Sequence, residues 1–170
     1  MQFTNSQPSD LPLIFSLFDS AIAYQKRKGH DVWPRFDEQM IMAEIKEKRH
    51  WKMVDEREIA CILSVVYHDP VIWGERDQEP SVYLHRIAVN PAYKGKRMME
   101  LIRHWAIEHA REMGKQYLRM DTWGNNENIR NYYVSCGFPY IGQQQMFAAE
   151  GLPAHYAGIV LSLFEIEVGQ

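Results

Sequence analysis

Lys94-Gly95-Lys96-Arg97 crowds three cations around a glycine, where the apolar run Ile87-Ala88-Val89 passes through Asn90-Pro91 into a helix opening with Met98-Met99. The first amides of a helix have no intrahelical partner, and the aligned peptide dipoles place partial positive charge there. Basic residues are unfavourable at such an end unless an anion sits against them, so the segment reads as an anion site. Gly95 would let the backbone approach that anion closely. A basic helix start on a solvated face is the plainer reading of the same residues.

A second constellation lies downstream. Asn126 and Tyr133 are seven residues apart, close to two helical turns, so the two share a face, and Tyr132 is turned away by about 100°. Gly137-Phe138 follows at a fixed offset. Taken alone, Tyr133 would be a packed amphipathic tyrosine. His85 lies on the run leading into the basic loop, and an imidazole titrates near neutrality. The remaining histidines show no metal-ligand spacing, so no metal is expected.

Together these segments resemble the acetyl-CoA-binding motifs of the GNAT acetyltransferases. The family loop begins with Arg or Gln, followed by two residues, Gly, one residue, and Gly or Ala. Here it corresponds to Lys94-Gly95-Lys96-Arg97-Met98-Met99. Lys94 stands for the usual Arg or Gln, Arg97 occupies the first motif glycine, and Met99 takes the final small position. The second family signature, Asn, six residues, Tyr, three residues, Gly-Phe, is met by Asn126, Tyr133 and Gly137-Phe138. The likeness covers roughly residues 81–140 at the level of motifs.

The resemblance implies a catalytic acetyl transfer from acetyl-CoA to the primary amine of a small molecule, peptide or protein. It also implies that the main chain of Ile87, Ala88 and Val89 flanks the thioester. Residues 94–99 and Asn126 would bind the cofactor, and Tyr133 would protonate the leaving thiolate. An unperturbed phenol with a pKa near 10 holds its proton at neutral pH, as a general acid must. His85, Tyr83 and Asp121 are alternatives for the base. A non-catalytic acyl-CoA-binding or regulatory module on the same fold, and an α/β module for another phosphorylated ligand, are the rival readings.

The elements that would position these groups follow from periodicity. Residues 8–28 read as a helix with Leu11, Ile14, Phe15, Phe18 and Ile22 on one face, Ser9 as cap and Gly29 as stop. A second helix after Trp33-Pro34 would bury Met40, Ile41 and Ile45 and expose Glu44, Lys46, Glu47, Lys48 and Arg49. Residues 51–54 and 59–67 read as strands joined by a polar turn, and 69–79 as a polar excursion. A strand at 81–89, a helix at 96–113, a strand at 116–121 and a helix at 126–136 follow. The last two strands are expected at 138–147 and 156–166, with Gly151-Leu152-Pro153 in the loop between them. The fold class is then α/β (α+β): a mixed, mostly antiparallel sheet of six to seven strands with about four helices. One domain, 1–170, is expected.

A length of 170 residues fits one buried core, and 46% apolar with 24% charged residues is an ordinary globular composition. A net charge of -3 gives no footprint for nucleic acid. No run of about 18 apolar residues suggests a membrane span. Met1-Gln2-Phe3-Thr4-Asn5 lacks a secretory pattern, and Cys61 and Cys136 sit singly as reduced thiols, so the cytoplasm is the expected compartment. A homodimer would be in keeping with the family.

Overall fold

The computed structural model describes residues 1–124, 126–147 and 158–169. Seven strands form one sheet in the order β1-β2-β3-β4-β5-β7-β6. These are β1 Gln2–Asn5, β2 His50–Asp55, β3 Glu58–Val66, β4 Ser81–Val89, β5 Tyr117–Trp123, β6 Tyr140–Gln145 and β7 Val160–Glu167. Five α-helices are present among the described residues: α1 Leu11–Lys28, α2 Glu38–Lys46, α3 Pro70–Trp73, α4 Met98–Glu112 and α5 Glu127–Ser135. The loop expected around Gly151-Leu152-Pro153 lies outside the described residues. Among the described residues, no helix is long and apolar enough to cross a membrane.

The chain divides into two compact units, Met1–Val65 with His85–Met98, and Val66–Leu84 with Met99–Gln170. The first unit is built on the antiparallel pairs β1–β2 and β2–β3. Leu11, Ile14, Leu17 and Phe18 of α1 and Ile41 and Ile45 of α2 bury against Ile59, Ile62 and Ala88. Gly29 closes α1 at φ 65, as its lack of a Cβ allows. Ser9 does not cap the helix. The helix follows Asp10 out of a 3-10 turn, and the Asp10 carboxylate accepts from the Gln7 amide at 2.6 Å and from Lys52 Nζ at 2.6 Å.

Two expectations for α2 are corrected. Met40 is 37% exposed, whereas Glu44 is buried at 5%. Burial of this carboxylate is compensated locally, because it accepts from Ser64 Oγ at 2.6 Å and pairs with Arg86. Periodicity could not reveal this, since its two partners lie 20 and 42 residues away.

His50 is fully buried, with its Nδ1 bonded to Ser6 Oγ at 2.8 Å. Burial lowers its pKa to about 4; Glu44 and Asp10 oppose the shift and Arg86 adds to it. The unfolded chain therefore takes up this proton first as pH falls. The contribution to stability is full above about 6.5 and declines toward 4, by up to about 1.4 kcal/mol per pH unit. The His50 ring should keep its neutral NMR shifts down to about pH 5; an inflection near 6.5 would contradict its burial.

In the second unit β7 lies antiparallel between β5 and β6, and β4 pairs with β5 in parallel from Ser81↔Tyr117 to Leu84↔Met120. The expected polar excursion at 69–79 is largely helical, and its Ile72 and Trp73 join Tyr83, Met146, Leu161 and Leu163 in a core. α4 runs from Met98 to Glu112, slightly shorter than the expected 96–113, and Met113 beyond its end is 48% exposed. β6 is mostly exposed and ends the sheet order, shorter than the run 138–147 suggested.

Candidate active site

In the first unit, β4 leads through a 3-10 turn, Pro91–Tyr93, to the basic loop and the start of α4. Asn90 anchors this turn three ways. Its Oδ1 accepts from Ala92 N at 3.0 Å, its Nδ2 donates to Ile59 O at 3.0 Å, and its amide donates to Ala60 O at 2.9 Å. Tyr93 is buried and donates to Asp55 Oδ2 at 3.1 Å, tying the turn to the β2–β3 hairpin. Beyond it Gly95 has φ 81 and Arg97 has φ 53. The residue at the motif-glycine position thus takes a left-handed backbone, the conformation most easily held by glycine.

Lys94, Lys96 and Arg97 are exposed. Lys94 Nζ lies 5.9 Å from the Tyr24 ring centroid and Lys96 Nζ 4.3 Å from that of Tyr93. The Met98 and Met99 side chains are buried. Ala88 is buried, and Ile87 and Val89 are half-buried, as is His85 on the same strand.

In the second unit, Asn126 is the N-cap of α5. Its Oδ1 accepts from Ile129 N at 3.1 Å, so this oxygen is committed to the helix start. Tyr133 is half-buried and Tyr132 is 51% exposed, the separation expected from helical geometry. The Tyr133 ring packs against Phe164 at 5.5 Å and edge-on to Phe138 at 6.4 Å. Burial raises its phenol well above the ordinary value, with smaller contributions from Tyr132, Cys136 and Asp121.

The Gly-Phe pair has a physical reason here. Gly137 ends α5 at φ 88, and a Cβ there would lie 2.9 Å from the Arg103 guanidinium. Phe138 is buried, and its amide donates to Tyr133 O at 3.1 Å.

A family model described as the acetyltransferase (GNAT) family matches residues 18–138, well over half of the chain. The chain belongs to this family. This GNAT chain is also 27% identical over 74 residues to the uncharacterized N-acetyltransferase YesJ of Bacillus subtilis (strain 168). That match covers 44% of this chain and 41% of YesJ, so it spans well under half of the relative's length.

Among solved structures, a GNAT-family acetyltransferase from Listeria monocytogenes has a TM-score of 0.76 at 22% identity, covering 98% of this chain and 94% of that one. One from Streptococcus agalactiae gives 0.76 at 19%, covering 99% and 95%. The structure of yncA from Salmonella typhimurium, with its cofactor acetyl-CoA, gives 0.68 at 15%, covering 99% and 94%. At these identities the structural likeness speaks for the fold.

Of the base candidates, Tyr83 is fully buried, accepts from Arg119 Nη1 at 3.3 Å and is raised to about 12, chiefly by burial. It is a core residue of this GNAT chain. Asp121 is half-buried on β5. The sequence placed Asn90 in the turn after β4, and it did not show the parts played by Tyr93, Glu44 and Arg86. An Asn before Pro is a recognisable turn signal, whereas the other three act through partners remote in sequence.

Proposed function

We propose that the chain works as one acetyl-CoA-dependent N-acetyltransferase domain that acetylates a primary amine of a small molecule, peptide or protein. Family membership supports the reaction class. The observation that carries the proposal is the backbone of the cofactor loop. Arg97 departs from the motif in residue type and yet adopts the left-handed conformation that glycine takes most easily, with Gly95, also at positive φ, close by. Lys94, Lys96 and Arg97 supply charge for the pyrophosphate, and the first amides of α4 supply donors.

In this reading the amine nitrogen, freed of its proton, attacks the thioester carbonyl carbon. Main-chain groups of 87–89 orient the cofactor and stabilise the developing oxyanion. The C–S bond then breaks, Tyr133 gives its proton to the sulfur, and free coenzyme A leaves while solvent restores the phenol. His85 is assigned the acceptance of the amine proton. The cofactor is a cosubstrate, and the Tyr133 phenol, raised by burial, remains a proton donor at every physiological pH.

Calorimetric titration with acetyl-CoA, paired with a free-thiol assay over a panel of amines, tests the proposal. Micromolar binding with amine-dependent thiol release is the expected result. Absence of binding at millimolar cofactor would overturn it, and binding without turnover on any amine would favour a regulatory acyl-CoA-binding module.

Arg97 gives a sharper comparison. Arg97→Ala loses the charge and keeps the unfavourable backbone, which costs about 1–2 kcal/mol for an L-residue. Arg97→Gly loses the charge and relieves the backbone. Arg97→Gly should therefore bind acetyl-CoA several-fold more tightly than Arg97→Ala and unfold at a higher temperature. Equal affinities would show that charge, not loop conformation, decides binding.

A further inference from the structure

Four non-glycine residues among those described have positive φ: Lys48, Glu56, Arg86 and Arg97. Arg86, at φ 50, is the one that lies inside a regular element, since β4 runs from Ser81 to Val89. A left-handed residue in a strand is costly and persists only where its surroundings hold it. Its holder is visible. The Arg86 guanidinium pairs with the Glu44 carboxylate and lies 5.7 Å from the Phe36 ring centroid. Glu44 is itself fixed by Ser64 Oγ at 2.6 Å, with Arg49 Nη1 at 3.9 Å.

The pair is poorly explained as a source of stability. Arg86 Nε is buried with no partner among the described residues. A partly buried ion pair with an unsatisfied donor contributes little net stability. The left-handed φ at Arg86 falls immediately before residues 87–89. We propose that Glu44 and Arg86 form a positioning clamp. By holding Arg86 in the left-handed conformation, the pair aims the main-chain groups of 87–89 at the acyl-CoA thioester. The clamp deepens the function proposed above and rests on it for the identity of the ligand.

The test uses Glu44→Gln, alone and combined with Arg86→Gly, because glycine takes φ 50 without a clamp. In unliganded protein, Glu44→Gln should speed hydrogen exchange of the 84–90 backbone about tenfold while leaving β6 and β7 unchanged. It should raise the KM for acetyl-CoA about tenfold, with a smaller change in kcat. Adding Arg86→Gly should recover most of that affinity and return exchange at 84–90 toward wild type although the ion pair is gone, a rescue that a merely stabilising ion pair would not produce. Should Glu44→Gln fail to fold, the double variant should still fold and bind. Wild-type exchange rates at 84–90 in folded Glu44→Gln, or a double variant that binds no better than Glu44→Gln or not at all, would overturn the clamp. A wild-type protein that takes no acetyl-CoA would overturn the proposed function instead, and the exchange measurement would then decide the clamp by itself.

Discussion

Tyr133→Phe lowers kcat for acetyl transfer by about 100-fold or more, the weight of a positioned general acid, and leaves acetyl-CoA affinity within about twofold. The substitution removes one oxygen and retains the ring, which is held by Phe164 and Phe138. Packing and helix position are therefore preserved, and the loss falls on protonation of the departing sulfur. Tyr132→Phe is the matched control: its side chain is exposed on another face of α5, and it should leave the rate unchanged. Because burial moves the Tyr133 phenol upward, the wild-type rate should show no alkaline decline from this group below about pH 10. A Tyr133→Phe variant within threefold of wild type would remove Tyr133 from the mechanism and leave solvent to protonate the thiolate.

Arg119→Met destabilises the protein by about 3–5 kcal/mol, the cost of removing one partner from a buried charge network. Arg119 is fully buried, donates from Nε to Glu165 at 2.8 Å and from Nη1 to the Arg76 carbonyl at 2.5 Å, and pairs with Glu79. Its guanidinium carbon also lies 4.7 Å from the Tyr117 ring centroid and 5.1 Å from that of Trp73. Met fills much of the volume and satisfies none of these acceptors. For a chain of this size the melting temperature should fall by roughly 10 °C. Urea unfolding measures the effect directly. A loss below about 1 kcal/mol would mean that Arg76, already 3.3 Å from Glu165, takes over the pairing.

These two residues illustrate different degrees of legibility. Tyr133 was readable because a helix converts spacing into direction. Seven residues from Asn126 and four before Gly137 place it on one face, and its neighbour Tyr132 on another. Asn126 was readable as a position and less so as a role, since its side-chain oxygen is spent on capping α5. The basic loop was readable from charge type and from its place between a strand and a helix. Arg119 and Glu44 look in the sequence like surface charges of a strand and a helix, and both are buried. Their compensation comes from Glu79, Glu165, Ser64 and Arg86, none of which is adjacent in the chain.

By itself the sequence determined most of the local elements and the family to which the chain belongs. Hydrophobic period, helix stops at Gly29 and Gly137, and motif spacing are properties of short stretches, where backbone geometry leaves few choices. Tertiary structure alone decided which charges are buried, that 69–79 coils into the core around Trp73, and that Arg97 and Arg86 hold backbone conformations their residue types disfavour. The reason is physical. Periodicity reports only how one segment faces its surroundings, whereas a buried charge or a left-handed arginine is set by contacts that exist only once distant segments have come together.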